Sequence, residues 1–264
     1  MGKRRRDAVG NTERQMSGHS KWATIKHKKG AADAKRGKMF SKLAKEITLA
    51  AKSGGDPAMN PTLRTIIQKA KSINMPGDNI DKAIKKGTGE LASEALEEIT
   101  YEGYASGGIG LVVNVLTDNK NRAAAEIGHI FRRNGSEFAA RGAVSRNFER
   151  KGQIIIEKAS AEEDKLMEIV LEAGADDMIT DEEGYEILTQ PNAYQTVATA
   201  LENAEIPTVS SEVALVPMVT KPVDDLAKVK SLLKFVEALE DNDDVQYVYH
   251  DGDIPDDLMA QAEE

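Results

Sequence analysis

The residues of this chain best suited to chemistry gather in one short stretch, GHSKWATIKHKKGAADAKRGKMF, Gly18 to Phe40. It holds the single Trp, two of the four His and a ladder of Lys and Arg. Lys21, Lys26, Lys28, Lys29, Lys35, Arg36 and Lys38, continued by Lys42 and Lys45, can neutralise phosphates and release their counterions. Cations at helical spacing follow a sugar-phosphate backbone but carry no base code. Trp22 and His27 can stack on an unpaired base; for Trp22, packing on the helices is the competing reading. His19 and His27 stand eight apart with no further ligand beside them, which does not make a zinc site.

Other motifs point away from catalysis. SGGIG, Ser106–Gly110, resembles a phosphate loop, but its glycines precede a β-type run instead of joining a strand to a helix N-terminus. A turn is expected there, and no Walker-type sequence occurs. The acids of EDNDD (240–244) and HDGD (250–253) lack EF-hand spacing and read as solvated caps. His129 lies on a helix among apolar neighbours and reads as structural. No nucleophile elbow, HExxH or paired catalytic set is present. No enzyme and no cofactor is expected.

Charge divides unevenly. Residues 1–90 hold 21 Lys and Arg against 8 Asp and Glu, net +13; the remainder holds 14 against 36, net −22. Such asymmetry bears on partners. The first part should be drawn to polyanions and the rest repelled, so nucleic acid would be held by one end. Cysteine is absent, which excludes disulfides and thiolate chemistry and fits a cytoplasmic setting. No apolar run approaches ~20 residues, so no membrane partner is expected. Residues 1–15 are basic but lack the apolar core of a signal peptide, and read as an N-terminal extension.

The elements that must position these groups follow from periodicity. Over 31–52, Met39, Phe40, Leu43, Ile47 and Ala50 form an apolar stripe, and Lys35, Lys38, Lys42, Lys45 and Lys52 a roughly opposite arc facing water. A second helix opens at Asn60-Pro61. A third carries Ile80, Ala83 and Ile84 and stops at Gly87, with Lys85 and Lys86 in its last turn. Beyond it strands and helices alternate. Strands are expected at 107–119, 143–148, 153–158, 184–190, 210–217 and 244–250, with 143–148 and 153–158 joined by a turn at ERKG. Helices are expected at 121–135, from Ser160 as a capping box with Glu163, at 192–205 and at 224–241. The order indicates an α+β fold.

GHSKWATIKHKKGAADAKRGKMFSKLAKEI, NMPGDNIDKAIKKGTGE, YEGYASGGIGLVVNVLTDNKNRAAAEI, FERKG and ALEDNDDVQYVYHD together resemble the YebC/PmpR family across nearly the whole chain. The resemblance implies three domains around a cleft: a basic helical domain at 16–91, a discontinuous α+β domain at 92–149 with 218–264, and an inserted α+β domain at 150–217. It implies a DNA-binding transcriptional regulator; some members are instead translation factors that relieve stalling on difficult nascent sequences such as proline runs. Duplex DNA or ribosomal RNA, with RNA polymerase or the ribosome, are the implied partners of an expected monomer. Lys85 and Lys86 join the basic residues above as expected nucleic-acid contacts. NGSEFAARGAVSRNF departs from the family pattern, with Arg146 where an aromatic usually falls.

Overall fold

The computed structural model describes residues 32–92 and 94–263. The chain is α+β: an N-terminal helical domain followed by α+β domains. The helical part comprises α1 (Ala32–Ala51), α2 (Pro61–Ser72) and α3 (Gly77–Thr88). Asn60 caps α2 as expected, accepting a hydrogen bond from the Leu63 amide, with Pro61 opening the helix. Leu43, Ile47, Leu63, Ile67, Ile80 and Ala83 form the core of this part. Met39, at the edge of the expected stripe, remains exposed. Gly87 does not end α3; the helix runs to Thr88 and closes on Gly89 in the left-handed region (φ 85°). Gly87 lets two helices approach instead, since a Cβ there would lie 2.4 Å from the Thr48 carbonyl oxygen on α1.

The first sheet takes the order β1–β2–β8, from β1 (Glu97–Ala105), β2 (Ile109–Thr117) and β8 (Val245–His250), all antiparallel. The tight turn at Ser106–Gly108 joins the first two, with Gly107 and Gly108 at positive φ. β2 is apolar along nearly its whole length because both of its faces are covered. On one face α4 (Lys120–Arg133) and α7 (Leu226–Glu240) pack over Leu111, Val113 and Val115, with Phe131 edge-on to Phe235 at 5.0 Å. On the other, Val112 is covered by Val144 and Phe148. A two-residue parallel pair, β7 (Lys221–Pro222) with β9 (Gly252–Asp253), precedes α8 (Asp256–Glu263).

The second sheet takes the order β4–β5–β3–β6, from β3 (Phe148–Glu157), β4 (Asp177–Thr180), β5 (Gly184–Thr189) and β6 (Ser210–Pro217). Two helices, α5 (Glu163–Glu172) and α6 (Tyr194–Asn203), cover it over Ile154, Ile156, Tyr185 and Ile187. Three local expectations are corrected here. ERKG is no turn, because β3 runs unbroken through it, paired with β6 from Phe148 onward. Residues 143–147 are a turn and a short 3-10 segment instead of a strand. Ser160 does not cap α5: Glu162 holds that position, and Glu163 spends its carboxylate on Lys158 and Thr180. β1, β4, the β7–β9 pair and α8 have no counterpart among the expected elements.

Candidate nucleic-acid interface

Lys21, Trp22, Lys26, His27, Lys28 and Lys29 lie outside the described residues. Lys35 falls in the first turns of α1, and Arg36 follows it, exposed. Of the next three lysines, Lys42 and Lys45 are partly buried, and Lys38, though exposed, is held by partners on another element. Lys38, Lys42 and Lys45 recur at spacings of four and three, which puts them on one side of α1. That side meets the end of α7 and the turn after it.

Lys38 Nζ donates to the Asp241 carbonyl (3.0 Å) and pairs with the Asp241 carboxylate (3.3 Å). Lys42 Nζ donates to the Glu240 carbonyl at 2.7 Å. Lys45 Nζ donates to the Asp243 carbonyl (2.9 Å) and pairs with Asp244 Oδ1 at 2.7 Å. A helix end leaves carbonyls without intrahelical partners and carries partial negative charge. Three ammonium groups from α1 answer both needs. Burial pushes Lys42 below the ordinary lysine range, and the charges of Glu240, Asp243 and Asp241 offset only part of this.

Asp244 is the centre of this dock. It is 3% exposed and accepts from Lys45, from Arg122 Nη2 (2.8 Å) and from Thr117 Oγ1 (2.9 Å). Burial alone would raise its pKa, but the bonds from Lys45, Arg122 and Thr117 prevail and hold it below the usual range. The expectation of solvated acidic caps is therefore corrected for Asp244, and also for Asp251. The latter, equally buried, accepts from the Gly110 amide (2.7 Å) and Asn147 Nδ2 (3.2 Å). His129 proves exposed.

A second junction joins α1, α2 and both sheets. Lys69 on α2 pairs with Glu212 of β6 at 2.9 Å, donates to Tyr247 Oη of β8 at 3.3 Å and lies 5.0 Å from that ring's centroid. Tyr247 stacks on Tyr249. Burial pushes the pKa of neighbouring Glu46 up, with Lys69 and Tyr247 opposing it.

What α1 gives up in docking, the rest of the helical domain keeps. Lys85 and Lys86 are exposed in the last turn of α3, as are Lys71 after α2's buried stripe and Lys82 on α3. Lys71, Lys82 and Lys85 enter no ion pair among the described residues. Sequence reasoning passed over Lys71 and Lys82, although each stands outside the apolar stripe of its helix. The structure thus separates the expected contacts into exposed Lys85 and Lys86 and docked Lys38, Lys42 and Lys45. No three His, Asp or Glu of the described residues come together to hold a metal ion.

Residues 20–90 match the family described as "TACO1/YebC protein N-terminal domain", and residues 96–252 match "TACO1/YebC second and third domain". The chain belongs to the TACO1/YebC family. Its relatives in that family include a protein of Maridesulfovibrio salexigens, 50% identical over 94% of this chain and 100% of its own length. Another, from Desulfotalea psychrophila, is 51% identical over 94% of this chain and 100% of its own. Both bear the name "probable transcriptional regulatory protein". The crystal structure of a conserved hypothetical protein from Aquifex aeolicus superposes with a TM-score of 0.79 at 43% identity, covering 89% of this chain and 97% of that one. The TACO1/YebC match accounts for the helical domain followed by two sheet-bearing parts. Among the described residues, no helix is long and apolar enough to cross a membrane.

Proposed function

We propose that this TACO1/YebC protein is a non-enzymatic, cytoplasmic regulator of gene expression that binds nucleic acid through its helical domain. The observation that carries the reading is the +13 charge of residues 1–90 in a chain of net −9. Exposed Lys71, Lys82 and Lys85 of α2 and α3 support it, since docking does not engage them. Binding to DNA as a transcriptional regulator follows the names of the relatives. Lysine dominance suits phosphates more than base edges. The same face therefore also suits folded RNA, read by shape and phosphate, in a translation factor. The reading takes 16–91, 92–149 with 218–264, and 150–217 as the domains.

Co-sedimentation with ribosomes at about physiological salt, with excess random duplex DNA present, separates the two. Stripping by the DNA is the expected result for the transcriptional reading. Pelleting despite the DNA moves the function to translation. A chain that binds neither, with or without salt, overturns the proposal.

A further inference from the structure

The acidic part of the chain carries a positive strip of its own. Beyond residue 90, carboxylates outnumber cations 36 to 14, so an exposed cation there has partners within reach. Among the described residues, five of the fourteen find one: Lys120 takes Glu97, Arg122 takes Asp118 and Asp244, Lys151 takes Asp176, Lys158 takes Glu163, and Lys228 takes Asp224; among those that do not, four arginines fall within fifteen residues of one another. These are Arg132, Arg133, Arg141 and Arg146, all four exposed and in no ion pair.

Their placement is built. α4 starts beside the Asp244 dock and ends at Arg132 and Arg133, about 20 Å further along its axis. A helix C-terminus favours two cations, but that does not account for the arginines of the following loop. The loop returns over β1, where the buried Glu102 carboxylate gathers the amides of Gly142 (2.7 Å), Val144 (2.7 Å) and Ser145 (2.9 Å). Arg141 and Arg146 flank this cradle, so the fold presents them on a fixed backbone. Arg146 gives its Nε to the Gly142 carbonyl at 2.6 Å and leaves its terminal nitrogens unbonded. Lys234 of α7 lines a groove with Arg133 and extends the strip.

An aromatic surface belongs to the same region. Tyr104 is 42% exposed, with its hydroxyl tied to the Ala143 carbonyl of the loop at 3.2 Å and with Lys221 Nζ 5.5 Å from its ring centroid, which adds a cation here and leaves a base the rest of the ring. The guanidinium fork matches phosphate oxygens two at a time, and an exposed ring accepts an unpaired base whatever its identity.

We infer that the strip from Arg132 to Arg146, with Tyr104, is a second nucleic-acid contact that takes an unpaired strand. The inference deepens the function proposed above and rests on it. It also reverses the expectation that the acidic part only repels a polyanion: repulsion by the surrounding carboxylates confines the strand to the strip.

The test uses the full chain, with fluorescent single-stranded RNA, single-stranded DNA and duplex DNA oligonucleotides titrated over a range of salt. The combined variant Arg132→Glu, Arg133→Glu, Arg141→Glu should bind single strands at least about tenfold more weakly, and the log–log salt slope should flatten by roughly 2, as loss of three phosphate contacts requires. Tyr104→Ala should cost about tenfold on single strands and leave duplex binding unchanged. If the glutamates disturb folding, glutamine at the same three positions gives the same readout. Which strand binds tighter identifies the source as RNA or DNA. Wild-type affinity and slope in the arginine variant, with binding lost in a Lys26→Glu, Lys28→Glu, Lys29→Glu variant, would sink this inference and leave the function standing. Equal losses on duplex and single strands would overturn the unpaired strand. A wild-type chain that binds none of the probes overturns the function itself.

Discussion

The lysines of α1 and the arginines between 132 and 146 carry the same charge and meet opposite fates. Lys38, Lys42 and Lys45 belong to the basic end of the chain, yet their ammonium groups are taken within the molecule's own fold by the Glu240, Asp241 and Asp243 carbonyls at and after the end of α7 and by the Asp241 and Asp244 carboxylates. The arginines belong to the acidic part, yet none finds a carboxylate. The total charge of a segment therefore does not say where its charge is available. Packing decides that: α1 lies between its own core and the α7 end, and the arginines of the loop are exposed. A binding surface should be sought where cations go unanswered by the fold, not where they are most numerous.

The comparison breaks most readily at Asp244. Asp244→Ala leaves Lys45 and Arg122 facing a vacated buried site, and loss of one partner of such a group costs about 3 kcal/mol. Urea unfolding should show it, with the helical domain cleaved faster by protease. A change no larger than about 0.5 kcal/mol would mean that the lysine dock does not hold the domains together.

Acid should act on the same contact with a defined sign. Asp244 and Glu102 both sit below the ordinary carboxylate range; burial opposes this in each, and hydrogen bonds prevail. Their stabilisation is full above the unfolded values near pH 4 and is lost as pH falls through the folded ones. Glu46 is shifted upward by burial, so its contribution has the opposite sign and weakens as pH rises from the ordinary glutamate value through the folded one. The stability difference between wild type and Asp244→Asn should therefore shrink as the solution is taken below about pH 4. A difference that stays constant down to pH 2 would show that the Asp244 charge contributes nothing to the dock.

The smallest effect sharpens the other half of the contrast. Arg132→Glu, Arg133→Glu and Arg141→Glu together should move the unfolding free energy by no more than about 2 kcal/mol, the cost of reversing two charges in the last turn of α4, since the three side chains are exposed and in no ion pair. A loss of several kcal/mol would assign these arginines a structural duty like that of the lysines.

Local signals were legible in the sequence. The Asn60-Pro61 helix start, the span of β6 and the amphipathic faces of the first three helices all follow from residue order, because capping and periodicity act within a few positions. Glycines misled where they serve packing. Gly152 makes ERKG look like a turn, but it lies within β3, where a Cβ would fall 2.2 Å from Thr189 Oγ1 and 2.7 Å from Tyr194 Cβ. The fate of the α1 lysines was not legible, because their partners lie about 200 positions away. The exposed Lys85 and Lys86 were, since a helix's last turn favours cations whatever packs around it.

The order in which these parts leave the ribosome gives the lysine dock a temporal side. The three helices of the N-terminal domain end at Thr88, while the first sheet waits for its third strand until His250. At about 5–20 residues per second, roughly 8–30 s separate the two events. During that interval Lys38, Lys42 and Lys45 have no carbonyl ends to receive them, and the newborn helical domain presents more positive charge than it ever does in the finished molecule.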